Sequence, residues 1–369
     1  MIYFFDKRIA THFNYELILL ILPLVFLSHY LILEINETLA SKQVVYFLLS
    51  LVAFILVFIF PFRSWKRFIP VVYWFGIFLL LCVEFFGITK LGATRWLAIP
   101  FTSMTIQPSE LFKPAFLLML GYLISNRPPK LGGYNLGDFL YFSFYILLPF
   151  ILIAKEPDLG TALVLLLVGY GVLFLIGINW KIIFSIVLIL GVSSPLIYTY
   201  LIKDYQKKRI KDFISEEPSY HVKQSIIAIG SGGAFGKEKE FATQTQLKFL
   251  PIATSDFIFA SFTERYGFIG AVGLIFLYLL LIVYLLILHN IFKKDYMISV
   301  FASGLALLIF LNMSVNILMV IGYAPVVGLP LPLFSYGGSS FINFIVLFGI
   351  LENLIAFRFI DGYEFVRKL

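Results

Sequence analysis

The sequence predicts an all-α polytopic membrane protein of about ten transmembrane helices, and three observations carry that reading. The chain of 369 residues is 60% hydrophobic and 13% charged, where an average soluble domain is about 25% charged. A soluble core at this length cannot hide so much apolar side chain, so lipid must be the solvent for most of it. Apolar runs of spanning length recur along the chain, and lysines and arginines fall on alternate sides of them.

The first run, 17–33, follows the charged patch Asp6-Lys7-Arg8. It is too long for the apolar core of a signal peptide and no small-residue cleavage site follows it, so it reads as a retained first span. Further runs lie near 44–61, 68–86, 110–125, 139–154, 162–178, 182–202, 266–289, 297–321 and 339–357. Residues 1–369 then form one membrane domain, with a large external loop at about 203–265 between spans seven and eight. With the N-terminus inside, the cytoplasmic segments hold Lys7 and Arg8; Arg63, Lys66 and Arg67; Arg127 and Lys130; Lys181; Lys293 and Lys294; and Arg358, Arg367 and Lys368. The short external loops hold only Lys42, Lys90, Arg95 and Lys155. This asymmetry places both termini in the cytoplasm. The net charge of +7 fits basic residues facing anionic lipid, so membrane lipid is the expected partner and nucleic acid is not. A single cysteine, Cys82, excludes an intrachain disulfide.

Several polar residues stand where lipid makes them expensive. Ahead of the fourth span, Pro108 suits a first helical turn and puts Glu110 and Lys113 on one face. They form either a helix-end ion pair or part of a functional cavity. In KEPDLGTALV, Glu156 and Asp158 stand at the outer mouth of the sixth span, where Asp158 is either a functional acid or a helix cap.

The external loop opens with KDYQKKRIKDFISEEPSY. This is either an amphipathic segment on the lipid surface or a source of Lys207, Lys208, Arg209 and Lys211 for a pyrophosphate headgroup. The run Gly230 to Lys237 departs from a nucleotide-binding P-loop, with Ser231 in place of the first glycine and Glu238 in place of Ser or Thr. Gly230, Gly232, Gly233 and Gly236 still allow a tight turn whose amides can receive an anion. Pro325, Pro330 and Pro332 forbid a regular helix in GYAPVVGLPLPLFSYGGSS, and Gly337-Gly338 permits a bend, so this apolar segment must be buried or line a cavity. His12, His29, His221 and His289 show no zinc spacing, and no nucleophile triad is visible.

Five ordered motifs, QPSELFK, EPDLGTALV, QSIIAIGSGGAFGK, QLKFLPIATSDFIFA and GLPLPLFSYGGSS, resemble the SEDS family of shape, elongation, division and sporulation proteins across the whole chain. TQTQLKFLP followed by SDFIFA is closer to the elongation (RodA) branch than to the division (FtsW) branch. The chain departs from the family pattern at Ile252, Ala253 and Thr254, at Ser255, at Arg265 and in SYHVKQS.

The resemblance implies a peptidoglycan glycosyltransferase that polymerises lipid II at the outer face of the bacterial cytoplasmic membrane during elongation and shape maintenance. Asp256 takes the family's catalytic aspartate position. Glu110, Lys113 and Asp158 line the central cavity, with Arg209 and Gln224 as further candidates. The loop motifs add Ser231, Gly232, Gly233, Ser335, Gly337 and Gly338 as substrate-binding or cavity positions. The sequence establishes no cofactor, and a divalent cation, Mg²⁺ or Mn²⁺, is compatible with a carboxylate and a pyrophosphate. Because the chain has no transpeptidase nucleophile motif, the resemblance also implies a class B penicillin-binding protein as partner; the apolar faces of spans eight and nine are candidate docking surfaces, since nothing in this chain obliges them to be covered otherwise.

Two rival readings remain. A flippase for the same lipid would also use polar residues in spans and a proline-broken segment, but no internal repeat is visible and it needs no such external loop. A pure scaffold leaves Asp256 and the Glu110/Lys113 pair unexplained. A free aspartate titrates near about 3.9, too low for a good base at neutral pH. Desolvation by Leu250, Pro251 and Phe257 to Ala260 would raise Asp256, and a nearby Lys113 would lower it. Alternatively, Asp256 caps the following helix. For the topology, a cysteine placed at Lys237 should react with an impermeant reagent from outside the cell, and reaction from the cytoplasmic side only would overturn the arrangement.

Overall fold

The computed structural model describes residues 7–60, 62–63, 66–90, 93–98, 105–130, 132–196, 199, 204–215 and 219–358. After a short α1 (Lys7–His12), helices α2 (Tyr15–Ile35) and α3 (Glu37–Ile59) are joined by Asn36 alone. Asn36 ends α2, and its side chain accepts hydrogen bonds from Thr38 N and Leu39 N to begin α3, which satisfies amides that lipid could not. Helix α4 (Ile69–Phe86) leads into a small antiparallel sheet of β1 (Ile88–Lys90), β2 (Ala93–Ala98) and β3 (Thr105–Ile106). This small sheet sits within an otherwise helical fold, and Ile88, Thr89, Thr94, Trp96 and Ile106 are residues that favour extended backbone.

Helices α5 (Pro108–Asn126), α6 (Leu136–Lys155), α7 (Leu159–Ile176) and α8 (Trp180–Leu196) follow. The segment between α8 and α12 contains α9 (Asp204–Ile214), α10 (Tyr220–Gly232) and α11 (Thr243–Gln246). The chain closes with α12 (Ile258–Ile291), α13 (Tyr296–Val320) and α14 (Gly338–Ala356).

Among the described residues, eight helices (α2, α3, α4, α6, α7, α12, α13 and α14) are long and apolar enough to cross a membrane. The other two expected spans fall on α5 and α8. Helix α5 is buried along nearly its whole length and carries Glu110, Lys113 and Pro114, so protein rather than lipid surrounds it. Helix α8 has 17 residues, and most of the 197–202 stretch that would lengthen it lies outside the described residues. The expected terminal residues 1–6 and 359–369 lie outside them as well.

Helix α13 occupies the centre of the bundle, packed against α5, α7 and α12, with Val300, Phe301, Leu305, Leu308 and Ile309 fully enclosed. Span nine, expected with span eight as a docking surface, is largely enclosed and leaves Phe310 and Leu318 outward. Helix α12 keeps a stripe of Phe268, Val272, Phe276, Leu279 and Val283 on the outside of the bundle.

The long segment between α8 and α12 is fastened where α12 bends. Gly267, at φ +68, breaks the helix, and the backbone of Ala234 and Gly236 packs so closely that a Cβ there would collide. Amides freed by the bend are taken by the loop: Phe268 N donates to Gly233 O (2.8 Å) and Ile269 N to Ala234 O (3.1 Å). Residues beyond the bend match the expected span 266–289. Just before it, the fully buried Glu264 accepts from Gln244 N (2.9 Å), Thr245 N (3.0 Å) and Thr245 Oγ1 (2.6 Å). Arg265 holds Glu34 at the end of α2 with Nε and Nη2, at 2.9 and 3.0 Å.

Glu264→Ala leaves those amides without an acceptor in a buried place. The expected cost is about 1–3 kcal/mol or more, read as a lower thermal midpoint in detergent, with a smaller loss for Thr245→Val. An unchanged midpoint for Glu264→Ala would contradict the fastening role.

Candidate active site

Asp256 lies in the turn between Pro251 and α12, gripped by the proline-rich segment and by α13. Asn316 Nδ2, fully buried in α13, donates to Asp256 O (2.9 Å) and to Leu329 O (2.7 Å). Ser335 Oγ donates to Ser255 O (2.7 Å) and accepts from Leu331 N (2.8 Å), and Tyr336 N donates to Thr254 O (2.8 Å). The turn is fixed through its backbone, which leaves the side chain of Asp256 out of the clasp. Gly328 faces it: a Cβ added there would lie 3.5 Å from Asp256 Oδ2. The N-cap of α12 is Phe257, with no side-chain cap bond, so the capping alternative for Asp256 is not what the chain uses. Burial pushes the half-buried Asp256 carboxyl up, and the guanidinium of Arg95 opposes that shift.

Arg95 was not among the expected site residues. Strand β2 delivers it, Nη2 donating to Pro157 O at 2.5 Å and Nη1 lying 3.5 Å from Asp158 Oδ1. Its signal in the sequence was a basic residue in a short external loop, against the charge bias. The lowering influence expected from a nearby Lys113 comes instead from Arg95, because Lys113 is held by Glu110 at 2.5 Å inside α5, with Phe344 beside it. Both members of that pair are buried, and no interaction joins them to Asp256 among the described residues.

Asp158 takes up the helix-cap reading and makes two further contacts. It caps α7, accepting from Thr161 N at 3.4 Å, and it anchors Arg95 while also accepting from Gln107 Nε2 at 2.9 Å. Gln107 precedes the first turn of α5, so Glu110 lies within one turn of this link and Lys113 within two. The neighbouring Glu156 is 5% exposed, and neither carboxyl oxygen has a hydrogen-bond partner among the described residues. Burial, with Asp158 adding to it and Arg95 opposing, pushes its carboxyl up to about 9. Glu156 is therefore a neutral acid at pH 7, and Asp158 alone supplies the negative charge that holds Arg95.

Arg209 is near but separate. It lines a cavity of about 230 Å³ with Asp212, Ser219, His221 and Pro325. His221 stacks on Phe257, centroids 6.1 Å apart, so that cavity adjoins the Asp256 turn. Gln224 stands one turn further along α10 than His221.

The glycine cluster does another task. Gly232 lies against the backbone of Thr263 and Glu264, Gly233 is at φ +57, and the amides of Gly236 and Lys237 already donate to Gly232 O and Glu264 O. The expected anion-binding turn is instead a close backbone contact with α12, and Ser231 Oγ bonds its own helix at Ala228 O. Gly337 and Gly338 begin α14, where the ring of Tyr46 occupies the space a side chain at Gly338 would need. The donor set does not fit a protein-built metal centre: among the described residues no three His, Cys, Asp or Glu side chains converge, and the charge beside Asp256 is a guanidinium.

The chain matches the cell cycle protein family of FtsW, RodA and SpoVE over residues 6–359. It is 53% identical over 359 residues to the peptidoglycan glycosyltransferase MrdB of Helicobacter pylori strain 26695, covering 97% of this chain and 94% of that protein. It is 36% identical to MrdB of Escherichia coli K12, covering 96% of each. Among solved structures, it superposes on a chain of a peptidoglycan synthase complex that coordinates polymerization and crosslinking, with TM-score 0.82, 27% identity and coverage of 94% and 98%. It also superposes on the rod shape determining protein RodA of Thermus thermophilus, with TM-score 0.70, 26% identity and coverage of 93% and 96%. By sequence and by fold, the chain belongs to the FtsW, RodA and SpoVE family, the SEDS proteins that its five motifs resemble.

Proposed function

We propose that this chain is a peptidoglycan glycosyltransferase that polymerises lipid II during cell elongation, at the outer face of a bacterial cytoplasmic membrane, with Asp256 as general base. The observation that carries the mechanism is the Asp256 carboxylate itself, on a fixed turn, unused as a cap, raised by burial and faced by Arg95. Relatives named peptidoglycan glycosyltransferase support the activity over nearly the full chain.

The reaction joins an acceptor sugar hydroxyl to the anomeric carbon of a donor. Asp256 takes the hydroxyl proton as the new C–O bond forms, and the anomeric C–O bond to pyrophosphate breaks with its electron pair leaving on the phosphate oxygen. Arg95, positioned by Asp158 and Pro157 O, supplies positive charge where that negative charge develops. Glu156 in its neutral form does not compete for Arg95. The loop and Asp256 then face outward and both termini inward. A flippase would need the segment around Asp256 to move, whereas Asn316, Ser335 and Tyr336 pin it.

The partner is a class B penicillin-binding protein, which crosslinks the glycan this chain makes. Support comes from the fold neighbour, a synthase complex that couples the two reactions, and the outward stripe of α12 is the surface offered to it. Co-purification in mild detergent with the transpeptidase encoded alongside should succeed, and should weaken when Phe276 and Val283 are changed to Ser. Retention by that double variant would remove the stripe from the interface.

For the catalytic assignment, Asp256→Asn should lower polymerisation of lipid II by roughly 10²–10⁴ while the protein stays monodisperse with an unchanged melt. The base form exists above the folded pKa of Asp256, so activity should rise with pH through a limb placed above the ordinary carboxylate range. Arg95 lowers that pKa. Arg95→Gln should therefore shift the limb to higher pH as well as slow the reaction. Polymerisation by Asp256→Asn at the wild-type rate would remove Asp256 from the mechanism, and an unshifted limb in Arg95→Gln would remove the guanidinium.

A further inference from the structure

A cavity of about 470 Å³ opens at the end of the bundle away from Asp256, lined by Arg63, Lys66, Lys294, Asp295, Tyr122 and Ser125. Its position follows from chain direction. Helix α5 begins beside Gln107 and Asp158 and ends beside this cavity, so its 19 residues separate the two sites by roughly 28 Å. Helices α4 and α13 pack along α5, with Lys66 and Tyr296 at this end and the Arg95 sheet and Asn316 toward the other.

The cavity floor is built rather than incidental. Arg63, 6% exposed, donates Nε and Nη2 to Leu354 O (3.1 and 2.9 Å) and Nη2 to Asp295 (2.5 Å). It joins the end of α14 to the start of α13, where Asp295 also caps α13 by accepting from Ile298 N at 3.4 Å. The positive end of the α13 dipole therefore opens into the same space. Asp295 is the carboxylate in the wall, and Arg63 occupies it. Lys66 and Lys294 remain, both exposed and neither with a carboxylate partner among the described residues. Hydroxyls of Tyr122 and Ser125 stand beside them, and no hydrogen bond engages either among the described residues. Two free ammonium groups, a helix N-terminus and two hydroxyls around one cavity make a receptor for a phosphate-bearing anion.

We propose that this cavity binds the phosphodiester headgroup of an anionic membrane lipid, at the end of the bundle that the lysine and arginine bias assigns to the cytoplasm. The three cations come from the segments joining α3 to α4 and α12 to α13, both in the cytoplasmic set by charge bias. Basic pockets between membrane helices on that side recognise anionic headgroups, each lysine contributing about a fivefold gain in affinity. Exposed apolar side chains of α4, such as Val71, Val72 and Phe75, continue from the cavity along the bundle surface and offer the acyl chains a path. This inference is independent of the glycosyltransferase reading, since no residue at the Asp256 end enters it.

The test uses the full-length protein in neutral detergent, titrated with short-chain phosphatidylglycerol, short-chain phosphatidylcholine and inorganic phosphate, and read by thermal midpoint and by native mass spectrometry. Phosphatidylglycerol should raise the midpoint and appear as a retained adduct, whereas phosphatidylcholine should do neither at the same concentration. The double variant Lys66→Gln/Lys294→Gln should need roughly thirtyfold more phosphatidylglycerol for half the shift. The double variant Lys66→Arg/Lys294→Arg keeps the charge and should bind like the wild type. Equal effects of the two lipids, or an unweakened Gln double variant, would overturn the proposal. A match by inorganic phosphate at equal concentration would overturn the lipid as its source.

Discussion

The amide of Asn316 is the contact on which the arrangement around Asp256 depends. Lipid supplies no hydrogen bonds, so an irregular segment at membrane depth exists only if protein groups satisfy its backbone. Three prolines make the segment after α13 irregular, and the turn before α12 is irregular as well. Asn316 ties the two together by donating to Leu329 O and Asp256 O, and Ser335 and Tyr336 add further bonds across the same seam. Since Asn316 is itself fully buried in α13, this anchor cannot drift, and Asp256 inherits its fixed position.

Much of this was legible in the sequence because lipid imposes simple rules. Apolar runs marked the spans, and the run beginning at 266 coincides with the bend at Gly267 that divides α12. Uncharged, proline-broken residues from 322 to 340 had to be buried or line a cavity, and they wrap the Asp256 turn. Glu110 and Lys113, three residues apart behind a helix-starting proline, form the pair that their spacing suggested. What stayed hidden depended on contacts distant in sequence. Arg95 reaches Asp158 and Asp256 only because a short sheet turns it inward, and span-length logic has no term for a strand. Helices α5 and α13 look like spans among others, yet their neighbours enclose them, and that decides which faces remain for lipid or a partner. The glycines near 230 looked like an anion cradle because composition reports permitted conformations and not which amides are already engaged.

The four carboxyls at the site share one problem, charge near lipid, and meet it in four ways. Glu110 is neutralised by Lys113 inside α5. Asp158 is both a helix cap and the partner of Arg95. Glu156 gives up its charge, since burial without a partner favours the protonated form. Asp256 keeps a half-open carboxylate with no cap, no hydrogen bond of its own among the described residues and a guanidinium within electrostatic reach. An ion pair would have lowered its basicity, and full burial would have kept it protonated. Only a carboxylate placed between those limits, near a cation that belongs to another acid, can both take a proton at neutral pH and release it afterwards.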